Sequence, residues 1–139
     1  MVKQPKNRTR LLDEFSNIVE KLASESKQGI PIIVEGKRDE ETLRRLGVKG
    51  EIILIKSIRG LRRKLEGRDL RRVILLPDLD SEGEHLLKLV KKSLEGVVKD
   101  IDVTYWRKLR IIRRIGFTQI ESMHLVFKKL QHDLHDLPP

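Results

Sequence analysis

Apolar positions along this chain fall into two alternating patterns, one spaced as a helix face and one continuous. Leu11, Leu12, Phe15, Ile18, Val19, Leu22 and Ala23 recur at helical spacing, so a first helix is expected over about residues 9–28, with Thr9 as N-cap and Gly29 as stop. The basic stretch up to Arg8 reads as a frayed arm. Ile30 to Val34 is an unbroken β-branched run and predicts a buried strand, with Pro31 tolerated near its start. Asp39 to Leu46 predicts a short helix ending at Gly47. Glu51 to Lys56 predicts a second buried strand, and Gly60 to Leu65 a short helix closed by Gly67.

A third strand is expected from Arg72 to Pro77. The helix after it should run from Ser81 to about Leu94 and stop at Gly96, with Ser81 and Glu84 in capping-box spacing. Ile101, Val103 and Tyr105 alternate with Asp102, Thr104 and Trp106, the period of a half-exposed or edge strand. A basic helix from Arg107 to Ile115 and a last helix opened by Thr118 and Glu121 complete the chain. Strands alternating with helices imply right-handed βαβ units, so the expected class is α/β: a three-layer, Rossmann-like domain with a four-stranded, mainly parallel sheet. At 139 residues a single domain is expected, its core spanning about residues 30–106.

This pattern puts two acidic stretches at equivalent places. Val34-Glu35-Gly36-Lys37-Arg38-Asp39 follows the first strand, and Asp78-Leu79-Asp80-Ser81-Glu82-Gly83-Glu84 follows the third. The strand-to-helix ends of a parallel sheet are where such folds place their ligands. Asp78 and Asp80, two apart on extended chain, can turn two hard oxygen ligands toward one point, which suits Mg2+ or Mn2+ completed by water and substrate phosphate. Gly36 and Gly83 would let phosphate approach the backbone, and the N-terminus of the Ser81 helix adds partial positive charge. The plainer alternatives are that Asp39 and Ser81 serve as helix caps and that Glu35 is a solvated turn carboxylate. Several carboxylates on one edge repel one another without a cation, which favours the metal reading.

Charge points to the partner. Thirty Lys and Arg against twenty-one Asp and Glu give a net charge of +9, favouring a polyanion such as RNA or DNA. With 37% charged residues and no cysteine, the composition leans toward a heat-adapted source and excludes disulfides and thiolate metal sites. No apolar run approaches a membrane span and no secretory segment precedes the first helix, so a cytoplasmic protein without membrane contact is expected. Arg59, Arg62, Arg63, Lys64, Arg68, Arg71 and Arg72 surround the second crossover, while Arg107, Lys108, Arg110, Arg113 and Arg114 fill one short helix with no acidic residue within it. Such runs are either solvated faces or phosphate-backbone contacts with salt-dependent binding. Arg59, at the end of the second strand, is the first candidate for a phosphate clamp, and Lys37 the next. Tyr105 and Trp106 are expected in core or edge packing rather than in base stacking.

Other motifs carry less. Gly36-Lys37 is not a P-loop, because Pro31 stands where a glycine is required and no Ser or Thr follows the lysine. His132 and His135 with Asp133 and Asp136 form a conceivable zinc cluster, with a solvated terminus as the simpler reading. His85, directly after the second acidic motif, reads either as a substrate contact or as a plain surface histidine, and His124 as a helix position with no partner visible in the sequence.

Taken together, VEGKRD at the first strand end and DLDSEGE at the third resemble the two signatures of the Toprim domain. That domain is shared by topoisomerases, bacterial-type primases, ribosomal-RNA maturases, OLD-type nucleases and RecR-type recombination proteins. The similarity covers about Ile30 to Trp106, and the chain resembles the small stand-alone Toprim proteins known chiefly from archaea. The resemblance implies that Glu35 acts as general acid or base in phosphoryl transfer and that Asp78 and Asp80 hold Mg2+. Asp39 and Glu82 match further acidic positions, as outer or second-metal ligands, and Glu35 also belongs to the implied metal set. It implies a metal-dependent nuclease or RNA-processing enzyme, with a non-catalytic nucleic-acid-binding or scaffolding subunit of a processing or repair complex, of the RecR type, as the alternative. Topoisomerase activity is not expected, since the tyrosine-bearing domain is lacking, nor is a complete primase.

Overall fold

The computed structural model describes residues 4–112, with side chains from residue 10 onward. The expected sixth helix after Thr118, the His132/His135 cluster, and Arg113, Arg114 and His124 lie outside the described residues. Nine elements follow in the order α1 (Gln4–Lys27), β1 (Ile32–Val34), α2 (Lys37–Arg45), β2 (Ile52–Leu54), α3 (Ile58–Leu65), β3 (Arg72–Leu75), α4 (Ser81–Ser93), β4 (Asp100–Asp102) and α5 (Thr104–Ile112). The sheet order is β2-β1-β3-β4 and every pairing is parallel, with Ile33 opposite both Ile53 and Leu75. This is the α/β, three-layer, Rossmann-like fold expected, and β4 is indeed an edge strand.

Helix stops follow the glycines: Gly29, Gly47, Gly67 and Gly96 all sit at positive φ, where a side chain would be strained. Several boundaries differ from expectation, α2 and α3 each starting two residues early, at Lys37 and Ile58. Helix α1 spans Gln4–Lys27, so residues 4–8 are helical and Thr9 is not the N-cap. Pro5 explains this, because its fixed φ and missing N–H suit a first helical turn. Asp80, not Ser81, caps α4, its side chain accepting from the Gly83 amide at 2.7 Å. The strand expected from Ile101 to Trp106 ends at Asp102, whose Oδ1 accepts from the Thr104 amide at 2.8 Å and turns the chain into α5.

Because crossovers are right-handed, α2 covers one face of the sheet and α3 and α4, which pack together, cover the other. Helices α1 and α5 pack together. Ile32, Ile33, Val34, Ile53, Val73, Ile74 and Leu75 are fully buried between these layers, each side chain contributing about 1.5–3 kcal/mol of transfer free energy. Phe15 and Leu22 of α1 and Leu109 of α5 join the same core. At the tail of α1 the buried Ser26 accepts from the Gly50 amide at 3.0 Å. A Cβ on Gly50 would stand 2.2 Å from the Ser26 carbonyl oxygen. Gly50→Ala is therefore expected to lower stability by about 1–3 kcal/mol, measured by urea unfolding.

A polar cluster ties the layers at the N-terminal end of β3. Arg72 donates to Glu25 of α1 at 2.9 and 3.2 Å and to Asp102 of β4, and the Tyr105 hydroxyl of α5 donates to Glu25. Hydrogen bonds to Glu25 and Asp102 hold the Arg72 guanidinium more firmly protonated than usual, while burial and Glu25 push the Tyr105 phenol up. Burial alone would raise the Asp102 carboxyl, but its hydrogen bonds to Thr104 and Arg72 outweigh this and hold it below the usual 3.8. On the surface, Arg68 grips Glu51 and holds it below the usual 4.5. Carboxyls lowered by folding stabilise the native state above their unfolded pKa, and that contribution is lost as pH falls through the folded value. Tm is accordingly expected to drop between roughly pH 4 and pH 2, and Asp102→Asn to flatten that drop, read by circular-dichroism melts.

Candidate functional site

Adjacent parallel strands bring the two acidic stretches to one edge. β1 and β3 pair directly, and the Leu76 amide donates to the Ile33 carbonyl at 2.8 Å, so both chains leave the sheet side by side. Glu35 then reaches across: its Oε2 accepts from the Asp78 amide at 2.7 Å. The two motifs are thus joined by a hydrogen bond between residues distant in sequence.

The Asp78–Asp80 loop is held from several sides. Its first carbonyl, that of Asp78, accepts the indole N–H of Trp106 on α5 at 2.9 Å. Leu79 is fully buried and anchors the middle. Asp80 Oδ1 caps α4 through the Gly83 amide. Gly83 itself packs so closely under the loop that a Cβ would lie 1.7 Å from the Asp78 carbonyl oxygen. Its small size serves this internal contact, whereas the sequence suggested room for phosphate. Gly36, by contrast, has only Asp39 Oδ2 within 4 Å of an added Cβ.

The other acidic candidates have separate duties. Asp39 is buried, and its Oδ2 accepts from the Gly36 amide at 2.9 Å, the N3-to-N-cap half of a capping box. This is the helix-cap role given above as the plainer alternative. Glu82 is exposed on the first turn of α4. Among the described residues no group of three or more His, Asp or Glu is assembled to hold a metal ion.

Whether the residues fit Mg2+ can be judged from these contacts. The donors are hard carboxylate oxygens, and Glu35 and Asp80 each engage a backbone amide through one oxygen, Oε2 and Oδ1. An ionised carboxylate accepts about four hydrogen bonds or ligands, so one amide does not exhaust it. A hydrated Mg2+ needs only one or two protein carboxylates. The edge therefore fits an ion that keeps most of its water; it does not fit an all-protein cage.

The basic candidates divide. Lys37 opens α2 and Arg59 lies in the first turn of α3, both exposed at the same sheet edge as Glu35 and Asp78. Beside Arg59's helix, Glu40, Ile52, Leu54, Lys56, Ser57 and Lys64 line a groove of about 410 Å3. Arg63 and Arg107 are exposed. Arg62 is committed to Glu66 at 2.8 Å and to the Ser93 carbonyl, bracing α3 against the end of α4. Arg68 and Arg72 are held in the ion pairs described above. Arg110 is half-buried over the Trp106 ring, 4.9 Å from its centroid, and paired with Glu84 at 3.0 Å. Trp106 was missed as a site residue; the helical spacing of Tyr105, Trp106, Leu109 and Ile112, all buried, was the available signal.

No protein-family model matches the chain. A UPF0292 protein of Pyrococcus abyssi is 36% identical over 108 residues, covering 78% of this chain and 80% of that protein. The chain belongs to the UPF0292 family. A second UPF0292 protein, from Pyrococcus horikoshii, is 35% identical over the same length and with the same coverage. Among solved structures, a putative protein from Aquifex aeolicus superposes on this UPF0292 member with a TM-score of 0.64 at 27% identity, covering 77% of this chain and 95% of that one. Among the described residues no helix is long and apolar enough to cross a membrane.

Proposed function

We propose that this UPF0292 protein is a Toprim-type, Mg2+-dependent phosphoryl-transfer enzyme acting on nucleic acid, as a nuclease or RNA-processing enzyme. The observation that carries the reading is the Glu35–Asp78 hydrogen bond, which joins the two acidic motifs at the edge where parallel sheets bind ligands. Asp78 and Asp80 are the residues that would hold the ion, with Glu35 beside them. When bound, the ion supplies stabilisation of the charge that builds on the phosphate oxygens. Glu35 carries the proton, because its carboxylate is held in place by the Asp78 amide rather than free to rotate. Lys37 and Arg59, exposed on the same edge, receive the backbone phosphates, and the +9 net charge favours the encounter.

One observation favours a second reading, a non-catalytic nucleic-acid-binding or scaffolding subunit. Glu35, Asp39 and Asp80 each accept from a backbone amide, so the acidic residues also account for themselves as structural braces. A cleavage screen over structured RNA, single strands and duplexes, with Mg2+, Mn2+ or chelator, separates the two. Turnover that needs the metal and disappears in Glu35→Gln supports the enzyme. Binding without turnover under every condition supports the subunit, and neither binding nor turnover ends both readings.

A further inference from the structure

We propose that Arg110 is a phosphate-binding residue of the carboxylate site, presented on the Trp106 ring and occupied at rest by Glu84, which a nucleic-acid phosphate displaces. The inference deepens the function proposed above and rests on it.

A closed ring of contacts places Arg110 there. Trp106 donates its indole N–H to the Asp78 carbonyl at 2.9 Å. Arg110, one turn further along α5, lies 4.9 Å over the Trp106 ring. Its Nη1 meets Glu84 Oε2 at 3.0 Å. Glu84 stands one turn into α4, its amide bonded to the Asp80 carbonyl at 2.9 Å, and Asp80 closes the ring back to the acidic loop. Of the α5 cations, Arg110 is therefore the one with contacts that lead directly to the Asp78–Asp80 loop; Arg107 is exposed without such contacts among the described residues.

The chemistry of the pair makes exchange easy. A guanidinium offers five N–H donors in a planar fork, and the Glu84 contact uses one terminal nitrogen. Both partners are about one-third exposed, at 32% and 37%, and ion pairs so placed are weak. A phosphate, by contrast, takes two parallel N–H bonds from the fork. The Trp106 face keeps the guanidinium plane fixed for that encounter, so little side-chain freedom is lost on binding. Arg110 also answers an electrostatic need, because a phosphate approaching Glu35, Asp78 and Asp80 meets like charge, and a cation beside the loop offsets it.

A double-mutant cycle on the full chain tests this, using anisotropy of a labelled single-stranded oligonucleotide, as RNA and as DNA, in chelator so that no cleavage occurs. Arg110→Gln is expected to weaken binding about tenfold and to reduce the slope of log affinity against log salt by about 1. Glu84→Gln is expected to tighten binding about threefold or more, since it removes the resting partner, and that gain should vanish in the Arg110→Gln background. An ion pair that only braces α5 against α4 would lower Tm in both variants and leave affinity unmoved. If Arg110→Gln does not fold by circular dichroism, Arg110→Lys takes its place in the cycle; it keeps the charge and loses the fork, so weaker binding at an unchanged salt slope and a smaller gain from Glu84→Gln are expected. Wild-type binding with no gain in Glu84→Gln, or an equal gain in both backgrounds, overturns the role of Arg110 and leaves the proposed function standing. No binding by the wild type at any salt concentration, with Mg2+ as well as in chelator, overturns both.

Discussion

Glu35→Gln is expected to leave the fold intact and to lower metal-dependent turnover on nucleic acid by at least about 100-fold, the ordinary worth of a positioned proton carrier. The substitution is informative because of what it keeps. A glutamine carbonyl still accepts from the Asp78 amide, so the bridge between the β1 and β3 ends survives while the ionisable group is lost. Asp80→Asn works the same way, since asparagine is as good an N-cap as aspartate and can still accept from Gly83. Metal affinity should fall in Asp80→Asn with little change in Tm, measured by Mn2+ titration calorimetry and thermal melts. Unchanged turnover in Glu35→Gln, at unchanged Tm, would remove Glu35 from the chemistry and leave it as a brace between the two strand ends.

Gly83→Ala should have the largest effect on stability. A single methyl there meets the Asp78 carbonyl oxygen at 1.7 Å and its carbon at 2.6 Å, both backbone atoms that cannot swing aside like a side-chain tip. Helix α4 must move off the loop, and that movement strains the Asp80 cap, the Trp106 hydrogen bond and the Glu35 bridge together. A loss of about 3 kcal/mol or more is expected, which for a chain of this size lowers Tm by about 10 °C or more. Differential scanning calorimetry reads it directly. A variant as stable as wild type would show that the loop and the helix are not closely packed. Glu82→Gln, on the exposed side of the same turn, provides the comparison.

Much of the fold was legible because buried parallel strands write themselves as unbroken apolar runs and helix ends write themselves as glycines. Ile32 to Val34 and Arg72 to Leu75 needed only that rule. The error at Tyr105 and Trp106 shows its limit. Six residues alternating in polarity fit a strand, yet Tyr105, Trp106, Leu109 and Ile112 share a helical period that begins inside the same window. The Asx turn at Asp102 decides between them by ending the strand and opening α5. At the site, the strand–helix pattern indicates which carboxylates meet one edge, because strand adjacency alone brings Glu35 to Asp78. It could not show how each oxygen is used. Asp39 turned toward Gly36, Asp80 toward Gly83, and Arg62 toward Glu66 are choices among local partners that the tertiary packing makes. The cluster of Glu25, Arg72, Asp102 and Tyr105 escaped notice for the same reason, as its members are separated by up to 80 residues.

The chain contains one tryptophan, and it is the residue whose indole N–H rests on the Asp78 carbonyl. The protein consequently carries its own optical probe at the acidic loop. A paramagnetic ion settling on Asp78 and Asp80 should quench Trp106 emission where diamagnetic Mg2+ at the same occupancy quenches far less. Site occupancy can thus be followed in unlabelled, unmodified protein without waiting for a substrate to be found.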